Sequence, residues 1–476
     1  MASDGVSTLL KEFREAAGLF RELIDEKMAP RVITHNDADG LTAGAVLHRA
    51  LNRERLPVHT RSLKQLEATT IEDIAKEKPE LVIFVDLGSG QLEEIREQLL
   101  GKSKVFVLDH HQPTDVVHED LVHVNPHNCG IDGAREVSGS GMGYLFTREL
   151  NQKNQDLAGL AIVGAIGDIQ DADGELKGMN REILRDATEA EVIKVEKDLR
   201  LYGRQTRPLY KSLVYTTEPF IPGLSGRESA CVQFLSDLDI TLKKDGNFTM
   251  LADLDQEERR RLTEALILKM IENRVHPKFA ESIVGEVYTL LKEEKRTPLR
   301  DAKEYATLLN GSGRTEHYGI GLAIALGERS NLYAQSLDML KEHKSYLSEC
   351  YTWIRENHKR IKDGEVLYYF HVKDEIDENV IGTVASMVLN SRSLNPIKPI
   401  IAFSYTREGD VKVSSRGTKE LIEKGLNLGK AMHIASKKIG GEGGGHDIAA
   451  GAKIGKGLEE EFIECVKEEI RGQIPP

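Results

Sequence analysis

The sequence predicts an α/β protein: a parallel-sheet domain, a mainly helical module inserted into it, a linker helix and a second α/β domain. Three observations carry that prediction. Between residues 31 and 190, short apolar runs alternate with helical patterns, as strands and crossover helices do in a doubly wound sheet. Four of the apolar runs end on a carboxylate or an imidazole. After a long helical stretch, residues 363–476 carry a separate set of strand-like runs.

In chain order, residues 5–28 have the periodicity of an amphipathic helix. Arg31-Val-Ile-Thr34 is a short β-like run, and it leads into His35-Asn-Asp37-Ala-Asp39-Gly40. A helix over Thr42–Leu51 follows at once, so this loop feeds a helix N-terminus, which favours anions. Leu81–Val85 is a second run and ends on Asp86. Lys104-Val-Phe-Val-Leu108 is a third and ends on Asp109, His110 and His111. Ser138-Gly-Ser-Gly141 opens another helix and offers a similar anion site. Leu160–Ile166 is a fourth apolar run, also read as strand-like, and it delivers Gly167-Asp168. In open parallel sheets the ligand crevice lies beyond the carboxyl ends of the strands. Asp171 and Asp173 are read as a solvated turn.

The first domain is expected over 1–234, with the inserted helical module at 235–300, where few site-type residues occur. It returns over 301–330, where Leu308-Leu-Asn-Gly-Ser-Gly-Arg314 reads as a glycine loop carrying Arg314, ahead of an apolar helix. Residues 331–362 read as a charged linker helix. The second domain, 363–476, has strand-like runs at Val366–His371, Pro399–Phe403 and Val411–Ser415. Its glycine-dense stretch, Gly440 to Gly451, reads as a binding loop, because Gly443, Gly444 and Gly445 let backbone N–H groups approach a ligand ahead of His446.

The net charge of −13 counts against a broad duplex-binding surface. A local cationic groove remains compatible with it, and Arg53–Lys64 and Lys292–Lys303 are basic segments. No apolar run approaches the ~20 residues of a membrane span. The N-terminus is polar and lacks a signal-peptide core. The four cysteines are scattered without zinc-type spacing. They read as reduced thiols of a cytoplasmic protein.

His35, Asp37, Asp39, Asp86, His110 and Asp168, with Asp109 and His111 beside them, would form one site. So many carboxylates together repel one another unless countercharge is supplied. Two divalent cations supply it. A mixed carboxylate and imidazole set suits Mn²⁺, and Mg²⁺ less comfortably. Two such metals serve phosphoryl hydrolysis. Neither a Gly-x-Ser-x-Gly nucleophile elbow nor a Walker A loop occurs.

The combined pattern resembles the DHH phosphoesterase superfamily. The matching pieces are His35-x-Asp37-x-Asp39, Asp86, Asp109-His110-His111 and Asp168. They continue in Val124-Asn-Pro126, Leu176-Lys-Gly-Met-Asn180-Arg181 and Asn310-Gly-Ser-Gly-Arg314, which are similar to segments of RecJ-type exonucleases. Ser414-Ser-Arg416 and Gly443-Gly-Gly-His446-Asp-Ile-Ala-Ala-Gly451 resemble the DHHA1 domain. The resemblance is strongest to the archaeal RecJ-like branch known as the GINS-associated nuclease. It implies an exonuclease on single-stranded DNA, 5′-to-3′, with RNA as a further substrate. The expected role is in DNA replication or repair, with the GINS complex and the replicative helicase as partners and no membrane. One metal would take His35, Asp37 and Asp86, and the other Asp39, Asp86, His110 and Asp168. Asp109 would orient His110, and His111 would lie near the scissile phosphate. Arg314, Ser414, Arg416, Gly443, Gly444, Gly445 and His446 would contact substrate. The competing readings are a phosphodiesterase for short oligonucleotides or cyclic dinucleotides, and a replication-fork scaffold with little catalysis.

Overall fold

A computed structural model describes residues 2–24, 28–216, 219–391 and 394–474. The chain divides into one unit up to Leu340 and a second from Lys341. The first unit opens with α1 (Ala2–Leu23); residues 25–27 of the expected first helix lie outside the described residues. Then follow β1 (Arg31–His35), α2 (Ala38–Arg53), β2 (His59–Leu63), α3 (Ala68–Lys76), β3 (Leu81–Val85), α4 (Leu92–Gln98), β4 (Lys104–Leu108) and β5 (Leu121–Val124). The five strands form one wholly parallel sheet in the order β2-β1-β3-β4-β5. Side chains alternate across it as a strand requires. Ile83, Val85, Phe106 and Leu108 pack into the larger core on one face, with α1, α2 and later helices. Val82, Phe84, Val105 and Val107 pack on the other with α3 and α4. Cover on both faces is why these strands are continuously apolar.

Helices α5 (Gly139–Leu150), α6 (Ala158–Gly167) and α7 (Met179–Glu189) complete the larger face. The expectation of a strand at Leu160–Ile166 is therefore corrected: this is the middle of α6. Residues 158–166 are buried all round, so no polar stripe marks the helical period.

The chain leaves this core along β6 (Ile193–Leu199) and returns along β9 (Val284–Leu290), paired antiparallel with Leu199 opposite Val284. Between them lie α8 (Leu209–Val214), α9 (Glu228–Asp237), the short strands β7 (Lys243–Lys244) and β8 (Asn247–Phe248), α10 (Gln256–Glu272) and α11 (Pro277–Glu281). Leu199, Leu213, Cys231, Leu251, Leu262, Leu266 and Ile283 share one separate core. This packed module overlaps the expected 235–300 without coinciding with it. Helical periodicity marks helices, but the β6–β9 ribbon decides where the module begins and ends.

The return segment is α12 (Ala302–Arg314) and α13 (Tyr318–Leu326), followed by α14 (Asn331–Glu356), within which the unit boundary falls. Asn310–Arg314 is thus the last turns of α12 and not the expected glycine loop. The glycines serve close packing: a side chain on Gly313 would overlap the Asn36 carbonyl.

The second unit holds β10 (Lys362–Asp363), β11 (Tyr368–His371), α15 (Ile381–Asn390), β12 (Ile400–Tyr405), β13 (Val411–Arg416), α16 (Lys419–Glu423), α17 (Leu428–Lys438), β14 (Glu442–Gly445), β15 (Ala449–Ile454) and α18 (Glu459–Gln473). Its sheet runs β10-β11-β12-β13-β15-β14. Only β11 and β12 pair in parallel.

Candidate metal centre

The strand order of the first sheet reverses at β1 and β3, and the loops leaving β1, β3 and β4 open there. That is the switch point at which such sheets bind ligands. Asp37 caps α2, its Oδ1 accepting the Gly40 N–H at 2.9 Å. Asp39 reaches the start of α5, accepting from Gly139 N at 2.6 Å and from Ser140 N at 2.9 Å. The helix N-terminus that Ser138-Gly-Ser-Gly141 announced does take an anion, and that anion is the chain's own carboxylate. Two glycines make the approach possible. A Cβ on Gly139 would overlap the Asp86 carboxylate, and one on Gly164 of α6 would overlap Asp39. Asp86 itself has φ +62°, a left-handed conformation that aspartate tolerates at some cost and that concentrates at functional sites.

Imidazoles face these carboxylates. His35 Nδ1 lies 2.9 Å from Asp37 and 3.9 Å from Asp86. His110 Nε2 lies 3.2 Å from Asp86, 3.5 Å from Asp168 and 3.8 Å from Asp39. Asp168 follows α6 as its C-cap. The expected partner of His110 is corrected. Its Nδ1 donates to the Gly133 carbonyl at 2.7 Å, whereas Asp109 Oδ1 accepts from His111 Nδ1 at 2.8 Å and from the His110 backbone N–H at 2.8 Å. Asp109 Oδ2 accepts from Ser89 N. Asp109 thus orients His111, whose ring is half exposed, and anchors the backbone of His110.

Burial and crowding disturb these groups strongly. Burial, then the carboxylates of Asp39, Asp37 and Asp168, push Asp86 well above the usual carboxylate range. Burial and Asp39 push Asp168 up to about 8. Burial opposes charge on His35 and His110, but the surrounding carboxylates outweigh it and raise them to about 10 and about 9. Burial likewise opposes ionisation of Asp37, which the His35 contact nonetheless lowers to about 2. So crowded a set of carboxylates favours positive charge beside it, as protons, imidazolium or a cation. The donor set fits divalent cations. Ligand atoms lie within 4.8 Å of one another in each of three groups: His35, Asp37 and Asp86; Asp39, His110 and Asp168; and Asp86, Asp109, His110 and His111. The buried Nε2 of His110 has no hydrogen-bond partner, and a cation shared with the three carboxylates would satisfy it.

Residues 31–165 match the family model of the DHH family N-terminal domain, 201–284 the DHH-CID domain and 363–472 the DHHA1 domain. An uncharacterized protein of Methanocaldococcus jannaschii is 34% identical over 98% of this chain and 99% of its own length. The single-stranded-DNA-specific exonuclease RecJ of Thermus thermophilus is 32% identical over 37% of this chain and 27% of that protein. This chain is a RecJ-like member of the DHH superfamily. The crystal structure of T. thermophilus RecJ in complex with Mn²⁺ has the same fold, with a TM-score of 0.60 at 18% identity over 97% of this chain. The chain spans only 55% of that structure. CDC45 from Entamoeba histolytica gives a TM-score of 0.65 at 12% identity, over 97% of this chain and 99% of that one.

The DHH domain thus gathers His35, Asp37, Asp39, Asp86, Asp109, His110, His111 and Asp168 into one crevice. Burial lowers the pKa of Arg314, at the end of α12, and the Asp37 carboxylate partly offsets that. Asp171 is corrected: it is not a solvated turn but a buried partner of the Arg200 guanidinium. In the DHHA1 domain, Gly443, Gly444 and Gly445 form edge strand β14 and not the expected loop, with Gly444 opposite Gly451 on β15. Ser414 and Arg416 lie on the other neighbour of β15, opposite Gly451 and Ala449. Arg416 Nε donates to Ser386 Oγ at 3.1 Å, and His446 is exposed beyond the strand. Sequence reasoning missed Asn310, whose Oδ1 accepts the Ala38 N–H at 2.9 Å and ties α12 to the metal loop. Its signal was the family-like Asn310–Arg314 segment, in which only Arg314 had been given a role.

Proposed function

We propose that this protein is a metal-dependent exonuclease that hydrolyses single-stranded nucleic acid to nucleotides, 5′-to-3′ on DNA and also on RNA. The observation that carries the reading is the convergence of His110 Nε2, with no hydrogen-bond partner of its own, and the carboxylates of Asp39, Asp86 and Asp168. His35, Asp37 and Asp86 would hold one divalent cation, and Asp39, Asp86, His110 and Asp168 a second, with Asp86 shared. Mn²⁺ suits this nitrogen and oxygen set, and Mg²⁺ is the alternative. Bound there, two cations supply Lewis acidity at a phosphoryl oxygen and a nucleophile at neutral pH. Asp109 holds His111 at the mouth of the site, where its imidazole would meet the scissile phosphate. Arg314 would add positive charge beside Asp37. Ser414, Arg416, the Gly443–Gly445 amides and His446 are assigned to a nucleotide phosphate, which a planar guanidinium and bare backbone donors suit.

Among the described residues, the helical module between β6 and β9 contributes no group to the metal centre, and it exposes Phe248, Leu268, Ile271 and Phe279. We assign it to partner docking in DNA replication or repair, with GINS and through it the replicative helicase. Support comes from the resemblance to the GINS-associated branch. All four cysteines carry free thiols, and no described helix is long and apolar enough to cross a membrane. A cytoplasmic location belongs to the same proposal.

Digestion of end-labelled DNA and RNA strands, with Mn²⁺ and Mg²⁺ compared, tests the reading. Stepwise release of nucleotides from single strands, and little from blunt duplex, is expected. No metal-dependent hydrolysis of either sugar would contradict it.

A further inference from the structure

His110 presents Nε2 to the carboxylates only if its ring is held from behind. The holder is the Gly133 carbonyl, which can only accept, so His110 Nδ1 must donate. That leaves the lone pair of the neutral ring on Nε2. The same carbonyl accepts a second bond, from Gln170 Nε2 at 2.9 Å, and Gln170 Nε2 also donates to the Val137 carbonyl at 3.1 Å. Two carbonyl acceptors settle which end of the Gln170 amide is nitrogen. The opposite end, Oε1, accepts from Asn180 Nδ2 at 2.6 Å. Gln170 is 6% exposed and Asn180 is fully buried. Asn180 is in turn fixed at the start of α7, its backbone N–H donating to the Glu136 carbonyl at 2.9 Å.

Gln170 reaches this position through an unusual corner. The Ile169 N–H donates to the Ile166 carbonyl and the Gln170 N–H to the Ala165 carbonyl, the paired bonds of a Schellman helix end. The left-handed residue of such a turn is usually glycine. Here it is Ile169, a β-branched residue at φ +59° that is 69% exposed. Strain of this kind persists where the surroundings over-determine the conformation. What the corner achieves is to aim Asp168 at the metal centre and Gln170 at the carbonyl behind His110.

We propose that Gln170 and Asn180 are positioning residues of the metal centre: Asn180 sets the Gln170 amide, Gln170 pins the Gly133 carbonyl, and that carbonyl fixes the His110 ring with Nε2 toward the cation. The proposal rests on the metal-dependent reading above and extends it two residues beyond the ligands. Partners of this kind are typically worth 10–100-fold in metal affinity or activity. Gln170 and Asn180 spend their side-chain amides on the Gly133 and Val137 carbonyls and on each other, so their loss would act through His110.

The test is Mn²⁺ titration of the purified protein and of Gln170→Leu, Asn180→Ala and the double variant. Thermal unfolding of the metal-free forms is measured alongside. Gln170→Leu is expected to weaken one of two Mn²⁺ sites ~10–100-fold and leave the other unchanged. Asn180→Ala should weaken the same site less, and the double variant should be no worse than Gln170→Leu, because the two act in series. In steady-state kinetics kcat should fall with KM little changed. Phe13→Leu, a core substitution in α1, is the control: it should lower the unfolding temperature without moving either Mn²⁺ affinity. If Gln170→Leu does not fold, Asn180→Ala alone decides. Both Mn²⁺ sites keeping wild-type affinity in the folded variants, whatever their unfolding temperature, would overturn the relay. Wild-type protein binding no Mn²⁺ would instead overturn the metal-dependent reading on which it rests.

Discussion

The two units hold their polar residues in opposite ways. In the first, acidic groups gather at the end of a parallel sheet, and three of them are held by hydrogen bonds from the chain itself. Asp39 is held by the α5 amides, Asp37 by α2, and Asp109 by Ser89 and His111. In the second, an edge strand of glycines and a strand carrying a half-buried guanidinium flank β15 of a mixed sheet, and an exposed imidazole follows the glycines. The first arrangement concentrates negative charge and calls for a cation. The second offers backbone donors and positive charge, and it suits an anion. Damage to the first should therefore abolish chemistry, while damage to the second should weaken capture.

The largest expected effect is that of Asp37→Ala. Removing a ligand should cut hydrolysis by ~10³-fold or more, on the order of 4 kcal/mol of barrier. The lost helix cap should cost only about 1 kcal/mol of stability. Activity assays and thermal unfolding together check this, and substantial turnover by a folded Asp37→Ala protein would break the comparison.

Gly164→Ala comes next. It changes no charge, yet its methyl would push on the Asp39 carboxylate. Loss of about 10²-fold in activity is expected, with weaker Mn²⁺ binding. Wild-type affinity in this variant would show that α6 can back away and that the tight packing has no role.

The pH dependence is smaller and has a definite sign. In the metal-free protein, Asp168 is raised to about 8 and His35 to about 10. For His35, the favourable contact is fully present below about pH 6.5 and is lost as pH rises through about 10. For Asp168, the penalty for ionising grows as pH rises from about 3.8 to about 8. Both make the metal-free protein less stable as pH rises. A cation must displace these protons, so Mn²⁺ affinity should rise from pH 6 to 9, by up to about tenfold per unit for each proton released. Calorimetry in buffers of different ionisation enthalpy should show proton release. An affinity independent of pH over that range would contradict the assignment of these shifts to the metal centre.

The smallest expected effects belong to the second unit. Arg416→Ala and His446→Ala should leave Mn²⁺ binding untouched and raise KM on short single strands, by about tenfold for the arginine. Unchanged kinetics in both would remove this surface from substrate binding.

Much of the first site was legible because strand ends are legible. A short apolar run ending on a carboxylate or an imidazole marks β1, β3 and β4. The ligand-type residues found there did not depend on knowing how the helices pack. The rest was hidden where burial erases pattern. Residues 158–166 are apolar on every side, so α6 shows no helical period. The glycines of Asn310–Arg314 look like a turn but lie in a helix, where Gly313 makes room for the Asn36 carbonyl. Asp171 looks solvated because its partner, Arg200, is 29 residues away. The holder of His110 is a backbone carbonyl, which no side-chain motif can announce. Domain limits failed similarly: the β6–β9 register that bounds the helical module joins residues 85 apart at its mouth.

The most direct test of the central claim is the Mn²⁺ stoichiometry of the purified chain, by equilibrium titration near pH 8. Two ions per wild-type chain are expected, and one in Asp37→Ala, because Asp37 belongs to one ligand group and His110 with Asp39 and Asp168 to the other. A wild-type chain that binds one ion or none, or an Asp37→Ala chain that still binds two with undiminished affinity, would contradict the two-metal account.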